Sequence, residues 1–163
     1  MQTINLQAAK TEMAIEKYTQ LVYGIALTEL KSKSDADDVF QEVFLLHYNN
    51  ELEFESDEHE KSWLIRTAIN FCKKYNYSTW SKKRAPLDEA NAFTLSDVEE
   101  NRVFEEVRAL KPKYSLPIYL KYFENMPTEK IAYVMNISPA AVRKRLSRAR
   151  AMLKERLECD YFE

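Results

Sequence analysis

NMPTEKIAYVMNISPAAVRKRLSRARAML, residues 125–153, is the stretch that decides the fold of the C-terminal half. Thr128 can cap a short helix, and Asn136 follows it at a position that needs the left-handed conformation, which asparagine tolerates. Ser138 can cap the next helix, whose first position holds Pro139, where a missing N–H costs nothing. Two helices joined by a turn of about three residues are typical of a helix-turn-helix unit.

The second of these helices has one apolar and one basic face. At about 100° per residue, an inward stripe is formed by Val142, Leu146, Ala149 and Leu153. The opposite side carries Lys144, Ser147 and Ala151, flanked by Arg143 and Arg148. Small residues between the cations leave this side narrow enough for a DNA major groove, where arginine reads guanine edges. A solvated basic helix end would explain the charge, but not the caps, the turn and the apolar stripe together.

Charge is unevenly distributed along this chain of 163 residues, whose formal net charge is −2. Residues 51–60 contain six acidic residues and no lysine or arginine, and residues 88–106 contain seven acidic residues against one arginine. Residues 73–84 contain five basic residues and no acidic one, and residues 143–156 contain seven basic residues against one glutamate. Two basic segments in an otherwise acidic chain indicate two places where a polyanion is contacted.

Three amphipathic helices are predicted in the N-terminal half. One covers residues 8–30, a second begins with Ser34 or Asp35 as its cap, and a third covers residues 60–80. Apolar spacing at three and four predicts a core that contains Ile15, Tyr18, Leu21, Val22, Ile25, Val39, Val43, Leu46, Trp63, Leu64, Ala68 and Phe71. Gly24 is the single glycine, and the turn dipeptides of strand hairpins are missing, so helices are expected throughout.

The periodicity lapses between the two halves, in an acidic segment that contains Pro86. We therefore predict an all-α fold of two small helical domains, residues 1–84 and 99–163, joined by a flexible acidic linker over residues 85–98. The first helix of the second domain is expected to bury three residues, Val103, Val107 and Leu110.

Signals for catalysis, metal binding or a membrane are missing from the sequence. Cys72 and Cys159 match no metal spacing, and HEKSW, residues 59–63, lacks the second histidine of a zinc protease motif. The N-terminus has no basic segment followed by an apolar one, and no apolar run approaches the roughly 20 residues that span a bilayer. We expect a soluble cytoplasmic protein that is not an enzyme and holds no metal or cofactor.

A second basic segment interleaves aromatic and cationic residues. INFCKKYNYSTWSKKR, residues 69–84, alternates four aromatic residues with five lysines and arginines. Aromatic faces stack on unpaired bases while cations follow the backbone, so the segment is suited to single-stranded or melted DNA. Aromatic residues at helical spacing also build cores, and Phe71 is expected to do so.

With both basic sites in view, the chain resembles the extracytoplasmic-function group of bacterial sigma-70-type sigma factors over about residues 12–157. DADDVFQEVF, residues 35–44, resembles region 2.2, and KSWLIRTAINFCKKY, residues 61–75, resembles regions 2.3 and 2.4. Residues 126–153 resemble region 4.2. The resemblance implies a protein that binds core RNA polymerase and directs transcription initiation at −10 and −35 promoter elements.

The same resemblance implies roles for individual residues. Those implied to contact the β′ clamp helices of the polymerase are Asp37, Asp38, Gln41 and Glu42. Those implied to meet the −10 strand are Asn70, Lys73, Lys74 and Tyr75, and the aromatic and basic composition of residues 69–84 adds Trp80, Lys83 and Arg84. Those implied to meet −35 bases are Arg143, Lys144, Ser147 and Arg148. The predicted −35 set also includes the cap residue Ser138 and, from their position at the flanks of the helix, Arg145 and Arg150, which are suited to phosphates. The implied partners are core RNA polymerase, including its β subunit, promoter DNA and a cognate anti-sigma factor.

Two other binding functions are compatible with parts of the sequence. A stand-alone helix-turn-helix regulator would use residues 128–153 but would leave the first 84 residues without a role. A protein-interaction module would need no base-reading helix. For the chain without polymerase, we expect either that the acidic clamp surface and the basic helix cover each other, or that an anti-sigma partner holds them.

Overall fold

The computed structural model describes the backbone of residues 2–80 and 98–162 and the side chains of residues 6–76 and 102–158. Within these ranges every regular element is a helix, as the sequence predicts. The α-helices are α1 Gln2–Glu29, α2 Lys33–Asn49, α3 Asp57–Trp80, α4 Val98–Arg108, α5 Pro112–Ile118, α6 Thr128–Met135 and α7 Pro139–Phe162, and a π-helical segment Tyr119–Phe123 follows α5. The predicted linker lies outside the described residues except for Val98, where α4 begins.

The N-terminal half is a three-helix unit in which α1 packs on both α2 and α3. Eight of the twelve predicted core residues are buried, namely Tyr18, Leu21, Val22, Ile25, Val39, Val43, Leu64 and Ala68. The other four, Ile15, Leu46, Trp63 and Phe71, are half-buried. Ile15, Trp63 and Phe71 pack against the margin of the buried cluster, where one side of each residue stays in contact with solvent.

Two helix caps differ from the prediction. The N-cap of α2 is Ser32, whose hydroxyl accepts from the backbone N–H of Asp35 at 3.3 Å, so neither Ser34 nor Asp35 is the cap. Ser32 is the last extended residue before the helix, with φ −97° and ψ 125°. At α6 the N-cap is Pro127, and Thr128 is already helical. Proline fixes φ near −65° and so supplies the extended cap conformation without a capping side chain.

The C-terminal half packs around α5 and an aromatic cluster. Phe104 lies 5.9 Å from Tyr119 and 5.6 Å from Phe123 between ring centroids. Of the predicted inward row of α4, Val107 and Leu110 are buried, whereas Val103 is half-buried and the adjacent Phe104 takes the core position. The inward row of α4 therefore matches the prediction at Val107 and Leu110 and differs from it at one position, where Phe104 is buried instead of Val103.

Pro117 lies inside α5, two residues before the start of the π-helical segment. A proline inside a helix removes one N–H donor and crowds the preceding turn, which favours a local change of helical pitch. The widened segment ends at Phe123 and leads into α6, so the break sets the direction in which the helix-turn-helix leaves α5.

The two halves pack against each other. α1 contacts α4, α5 and the π-helical segment, and α3 contacts α6. Asp38 and Gln41 of α2 remain exposed, as do Arg143 and Arg148 of α7. The contact between the halves is therefore not the pairing of the acidic clamp surface with the basic helix that the sequence suggested. Among the described residues, none of the helices has the length and apolarity to span a membrane.

Candidate nucleic-acid interface and partner surface

The turn between α6 and α7 has the geometry that the sequence predicts. Asn136 ends α6 in the left-handed conformation, with φ 56° and ψ 47°. The backbone N–H of Ile137 then donates to the carbonyl of Ala132 at 3.0 Å, which satisfies a helix-end acceptor. The hydroxyl of Ser138 accepts from the N–H of Ala141 at 3.1 Å and caps α7. A helix-turn-helix follows from these local bonds.

α7 separates an apolar stripe from a basic face. The predicted stripe, Val142, Leu146, Ala149 and Leu153, is buried, and α7 packs with it on α4, α5 and α6. The predicted DNA-facing residues that are exposed are Ser138, Arg143, Lys144, Ser147, Arg148 and Arg150, and Arg145 is half-buried. The face is therefore presented to solvent as a DNA-binding helix requires.

Two tyrosines that were not among the predicted site residues hold arginines of this face. Arg150 donates to the hydroxyl of Tyr122 at 2.9 Å, which keeps it at the flank of α7. Lys113 and Arg148 hydrogen-bond the phenol of Tyr114 and lower its pKa. Tyr114 lies in the first turn of α5 and Tyr122 in the π-helical segment, so only the tertiary structure brings them to α7.

The exposed face of α3 carries three of the seven predicted −10 residues. Asn70, Lys73 and Lys74 are exposed. Tyr75 is half-buried and hydrogen-bonded to Glu42 of α2. Its pKa is raised mainly by burial and further by the negative charges of nearby acidic residues. Trp80 ends α3 with its side chain outside the described residues, and Lys83 and Arg84 lie outside them altogether.

Arg66 belongs to this face, although it was not among the predicted −10 residues. It lies one turn before Asn70 and two turns before Lys73, and it is exposed. Its guanidinium lies 4.6 Å from the ring centroid of Tyr133, and it donates to the Tyr133 hydroxyl at 3.3 Å. The sequence shows that Arg66 is one helical turn before Asn70, but it does not show that Arg66 contacts Tyr133 of α6.

The predicted polymerase-facing residues of α2 fall into two pairs. Asp38 and Gln41 are exposed. Asp37 accepts a hydrogen bond from the hydroxyl of Tyr23, and Glu42 is hydrogen-bonded to Tyr75. Burial, reinforced by Asp37, raises the pKa of Tyr23. The first pair is therefore available to a partner, while the second pair also ties α2 to α1 and α3.

The exposed row of α2 continues with two apolar residues. Leu45 and Tyr48 are 58% and 36% exposed and follow Asp38 and Gln41 along the same side of the helix. Sequence periodicity assigns apolar residues to the core, so neither was predicted to be on the surface. A face that combines polar and apolar exposed residues is suited to a protein partner.

His47 is buried where α1, α2 and α3 meet. Its Nδ1 lies 2.9 Å from the Thr11 hydroxyl, and its Nε2 lies 3.1 Å from a carboxylate oxygen of Glu60. Phe54, from the acidic loop after α2, stacks on the ring at 5.8 Å between centroids. Both ring nitrogens thus have protein partners, and the histidine fixes the loop to the helices. Among the described side chains, no group of three histidines, cysteines or carboxylates is placed to hold a metal ion.

Comparison with known proteins agrees with this geometry. A family model for sigma-70 region 2 matches residues 14–81, and a model for sigma-70, region 4 matches residues 101–153. The chain is 28% identical over 166 residues to the ECF RNA polymerase sigma-E factor of Haemophilus influenzae, covering 90% of this chain and 86% of the relative. It is 28% identical over 152 residues to the RNA polymerase sigma factor SigV of Bacillus subtilis, covering 88% of each.

Solved structures share the fold. The sigma factor RpoE in complex with the anti-sigma factor NepR from Bartonella quintana matches with a TM-score of 0.69 at 17% identity, covering 91% of this chain and 97% of that one. CnrH in complex with the cytosolic domain of CnrY matches with a TM-score of 0.66 at 23% identity, covering 95% and 97%. Two helical units that match regions 2 and 4 define the sigma-70 class of transcription factors. Within that class, the chain belongs to the extracytoplasmic-function subfamily.

Proposed function

We propose that this sigma factor binds core RNA polymerase through residues 1–84 and directs initiation at promoters whose −10 and −35 elements it contacts. The observation that carries the proposal is the pairing, in one chain, of a helix-turn-helix with an exposed basic face and a second helical unit with its own exposed basic face on α3. Residues 99–163 would bind the −35 element. The chain itself would perform binding and no chemical reaction, and it would act in the cytoplasm with the polymerase.

At the −35 element, α7 would lie in the major groove. Its exposed outer face carries Arg143 and Arg148, which can donate to guanine edges, and Ser147, which is small enough to let the helix approach. Arg150, held at the flank by Tyr122, would contact a phosphate. The N-terminus of α7 adds backbone N–H donors and a partial positive charge that favour a second phosphate.

At the −10 element, α3 would follow the displaced strand. Arg66, Asn70 and Lys73 form one exposed row along the helix, and Lys74 lies beside it. Cations of this kind bind the backbone of a single strand, and the amide of Asn70 has both a donor and an acceptor for a base edge. Arg66 therefore joins the residues that the sequence assigned to this element.

The polymerase would bind the exposed row of α2. Asp38 and Gln41 supply charge and hydrogen bonding, and Leu45 and Tyr48 supply apolar area next to them. Charged residues at such a surface steer association and fix the register, whereas buried apolar and aromatic residues contribute most of the affinity. The row thus has both properties that a specific protein contact needs.

A cognate anti-sigma factor is proposed as a further partner, because both structural relatives described above are complexes with proteins of that kind or with a cytosolic partner domain. A cleft of about 1280 Å³ between the two halves offers a place for such a partner. Its lining combines aromatic, aliphatic and charged side chains, among them Lys17, Lys61, Tyr122, Phe123, Arg150 and Leu153.

Transcription in vitro tests the proposal. Purified protein added to bacterial core polymerase should confer start-site selection on a promoter that the core enzyme alone ignores. A stand-alone helix-turn-helix regulator would bind its DNA without polymerase and would not be retained by core enzyme in a pull-down. Failure of both assays would end the proposal.

A further inference from the structure

The bond between Tyr122 and Arg150 leaves both side chains with further hydrogen-bond donors. Nη1 of Arg150 donates to the Tyr122 hydroxyl at 2.9 Å, and both side chains are exposed. A phenolic oxygen accepts hydrogen bonds and also donates one, so accepting from Arg150 leaves the phenolic proton available. Among the described residues, no acceptor is bonded to that proton and no carboxylate pairs with Arg150. The pair therefore presents a neutral donor and a cation to solvent, side by side.

Arg150 differs in this respect from another arginine of the same helix. Arg156 forms an ion pair with Glu106 at 2.6 Å, and the carboxylate compensates its charge. A neutral phenol carries no charge, so the bond to Tyr122 orients the Arg150 guanidinium and leaves its positive charge uncompensated. Such a pair favours an anion with several acceptor oxygens, and a phosphate accepts from a guanidinium and a hydroxyl together.

The π-helical segment after α5 accounts for the outward position of Tyr122. The backbone N–H of Glu124 donates to the carbonyl of Tyr119 at 3.3 Å, which closes a turn one residue wider than an α-helical turn. Tyr119 is buried and stacks on Phe123 at 5.6 Å between ring centroids, whereas Tyr122 is 52% exposed. Isolated π-helical turns occur frequently at functional sites. Here the turn separates a core tyrosine from the tyrosine that reaches α7.

The pair lies at a flank of α7, beside the face that would enter the major groove. Arg150 follows the exposed Arg143 by seven residues, which places both on the same side of the helix, about 10 Å apart along its axis. A recognition helix in the major groove has backbone phosphates along its flanks and base edges in front of it. The hydroxyl of Tyr122 meets Arg150 at the flank, so both donors lie where a backbone phosphate would be.

We propose that Tyr122 and Arg150 together bind one backbone phosphate of the −35 element, with the Tyr122 hydroxyl donating directly to a phosphate oxygen and the Arg150 guanidinium supplying the charge. This inference rests on the proposed function and adds Tyr122 to its DNA-binding residues. Phosphate contacts fix the register of a protein on DNA and carry no sequence information directly. Tyr122 therefore helps to set the position of α7 in the groove, while other residues of the helix read the bases.

Tyr122→Phe removes the hydroxyl and keeps the ring. Holoenzyme with this variant should bind a promoter about five- to tenfold more weakly, because a hydrogen bond to a charged acceptor is lost. The loss should be equal for every single-base variant of the −35 element. The slope of log affinity against log salt should remain that of wild type, because a neutral hydroxyl releases no counterion. Fluorescence anisotropy with a labelled promoter duplex measures these affinities.

A neutral phosphate analogue locates the contact. Replacing the phosphates of the −35 element one at a time by methylphosphonate should weaken binding of wild-type holoenzyme at each contacted position. At one of these positions, Tyr122→Phe should cause little further loss of affinity. Arg150→Ala should lose most of its own effect at the same position. Non-additivity shared in this way means that both side chains act on one phosphate.

Tyr133→Phe is the matched control, because Tyr133 is also an exposed tyrosine of this half and its hydroxyl also accepts from an arginine, Arg66, at 3.3 Å. It should respond to each methylphosphonate as wild type does. Wild-type affinity of the Tyr122→Phe holoenzyme overturns the inference. A salt slope lowered as in Arg150→Ala also overturns it, because the tyrosine would then act only by orienting the arginine.

A third result would contradict the phosphate contact. If the loss caused by Tyr122→Phe stays undiminished at every methylphosphonate position, the hydroxyl bonds to the polymerase and not to DNA. Binding of the unmodified promoter by wild-type holoenzyme is measured first. Failure of that binding would refute the proposed function, whereas the outcomes above refute only the role of Tyr122.

Discussion

Lys31 and Arg108 donate hydrogen bonds in opposite directions across the contact between the halves. Lys31 bonds to backbone carbonyls at the end of α4, and Arg108 bonds to a backbone carbonyl near the end of α1. Lys31, just beyond α1, donates to the carbonyls of Arg108 and, at 3.0 Å, Leu110 at the end of α4. Arg108 donates in return to the carbonyl of Leu27 near the end of α1. Helix C-termini carry unsatisfied carbonyls and a partial negative charge, so each half supplies the cation that the other half's helix end requires. The pKa of Lys31 is lowered to about 8, mainly by burial and to a smaller extent by the positive charge of Arg108.

Glu29, two residues before Lys31, should make the free energy of unfolding depend on pH. Burial raises its pKa from 4.5 to about 7, opposed in part by Lys73 and Lys31. Because the folded-state pKa is the higher one, stability is fully present below pH 4.5 and is lost as the pH rises through 7. Glu29→Gln keeps a neutral side chain, so it should flatten this profile and gain up to about 3 kcal/mol at pH 8. Urea unfolding between pH 4.5 and 8 measures both effects.

The matched control for that experiment is Glu53→Gln, an exposed glutamate in the loop after α2. It should follow the wild-type profile throughout. A Glu29→Gln variant that loses stability with rising pH as steeply as wild type would show that another group causes the slope.

Charge reversal on α2 should weaken polymerase binding. Asp38→Lys places a cation at the start of the exposed row, and we expect association with core enzyme to slow by roughly tenfold at low salt. The loss should shrink as ionic strength rises, because exposed charges are screened. Surface plasmon resonance with immobilised core polymerase measures the rates.

Glu51→Lys is the control, because it makes the same charge change in the acidic loop and should bind like wild type. Equal losses of affinity for the two variants would mean that net charge, and not this face of α2, causes the effect.

The helix-turn-helix could be predicted from sequence because its determinants are local. Asn136 and Ser138 act on backbone groups within a few residues, so their roles were predicted correctly. The one-residue error at Val103 and Phe104 has a different origin, because both residues are apolar and only packing against Tyr119 and Phe123 decides which one is buried. Helical spacing alone does not distinguish them.

The contacts between the halves could not be predicted. Gly24 was noted as the single glycine, but its partner Tyr119 lies in the other half, beyond the predicted linker. The surface positions of Leu45 and Tyr48 were missed for a related reason, since an apolar residue on an amphipathic helix is assigned inward unless a partner surface is known. Sequence periodicity describes one helix at a time, whereas these features belong to pairs of helices.

The turn residue Asn136 should be sensitive to the type of side chain that replaces it. Its φ of 56° lies in the left-handed region, where an ordinary side chain costs roughly 1–2 kcal/mol. Asn136→Ala should therefore destabilise the fold by about 1 kcal/mol, whereas Asn136→Gly should be neutral or slightly stabilising. Denaturant unfolding followed by circular dichroism compares the two. Equal losses for glycine and alanine would mean that the amide of Asn136, and not its backbone conformation, is what the turn needs.

Arg148 and Arg150 lie on one helix and should affect promoter recognition in different ways. Arg148 is on the exposed outer face, so Arg148→Ala should remove about 1–3 kcal/mol of discrimination between −35 sequences. Arg150 is held at the flank by Tyr122, so Arg150→Ala should weaken all promoters alike and reduce the salt slope of binding by about 1. Holoenzyme binding to a promoter and to its single-base −35 variants, at several salt concentrations, separates the two effects. Lys154→Ala, on an exposed position one turn beyond Arg150, is the control and should preserve both discrimination and slope. If Arg148→Ala instead lowers affinity equally for every −35 variant, this arginine contacts the backbone, and base reading by α7 must depend on Arg143.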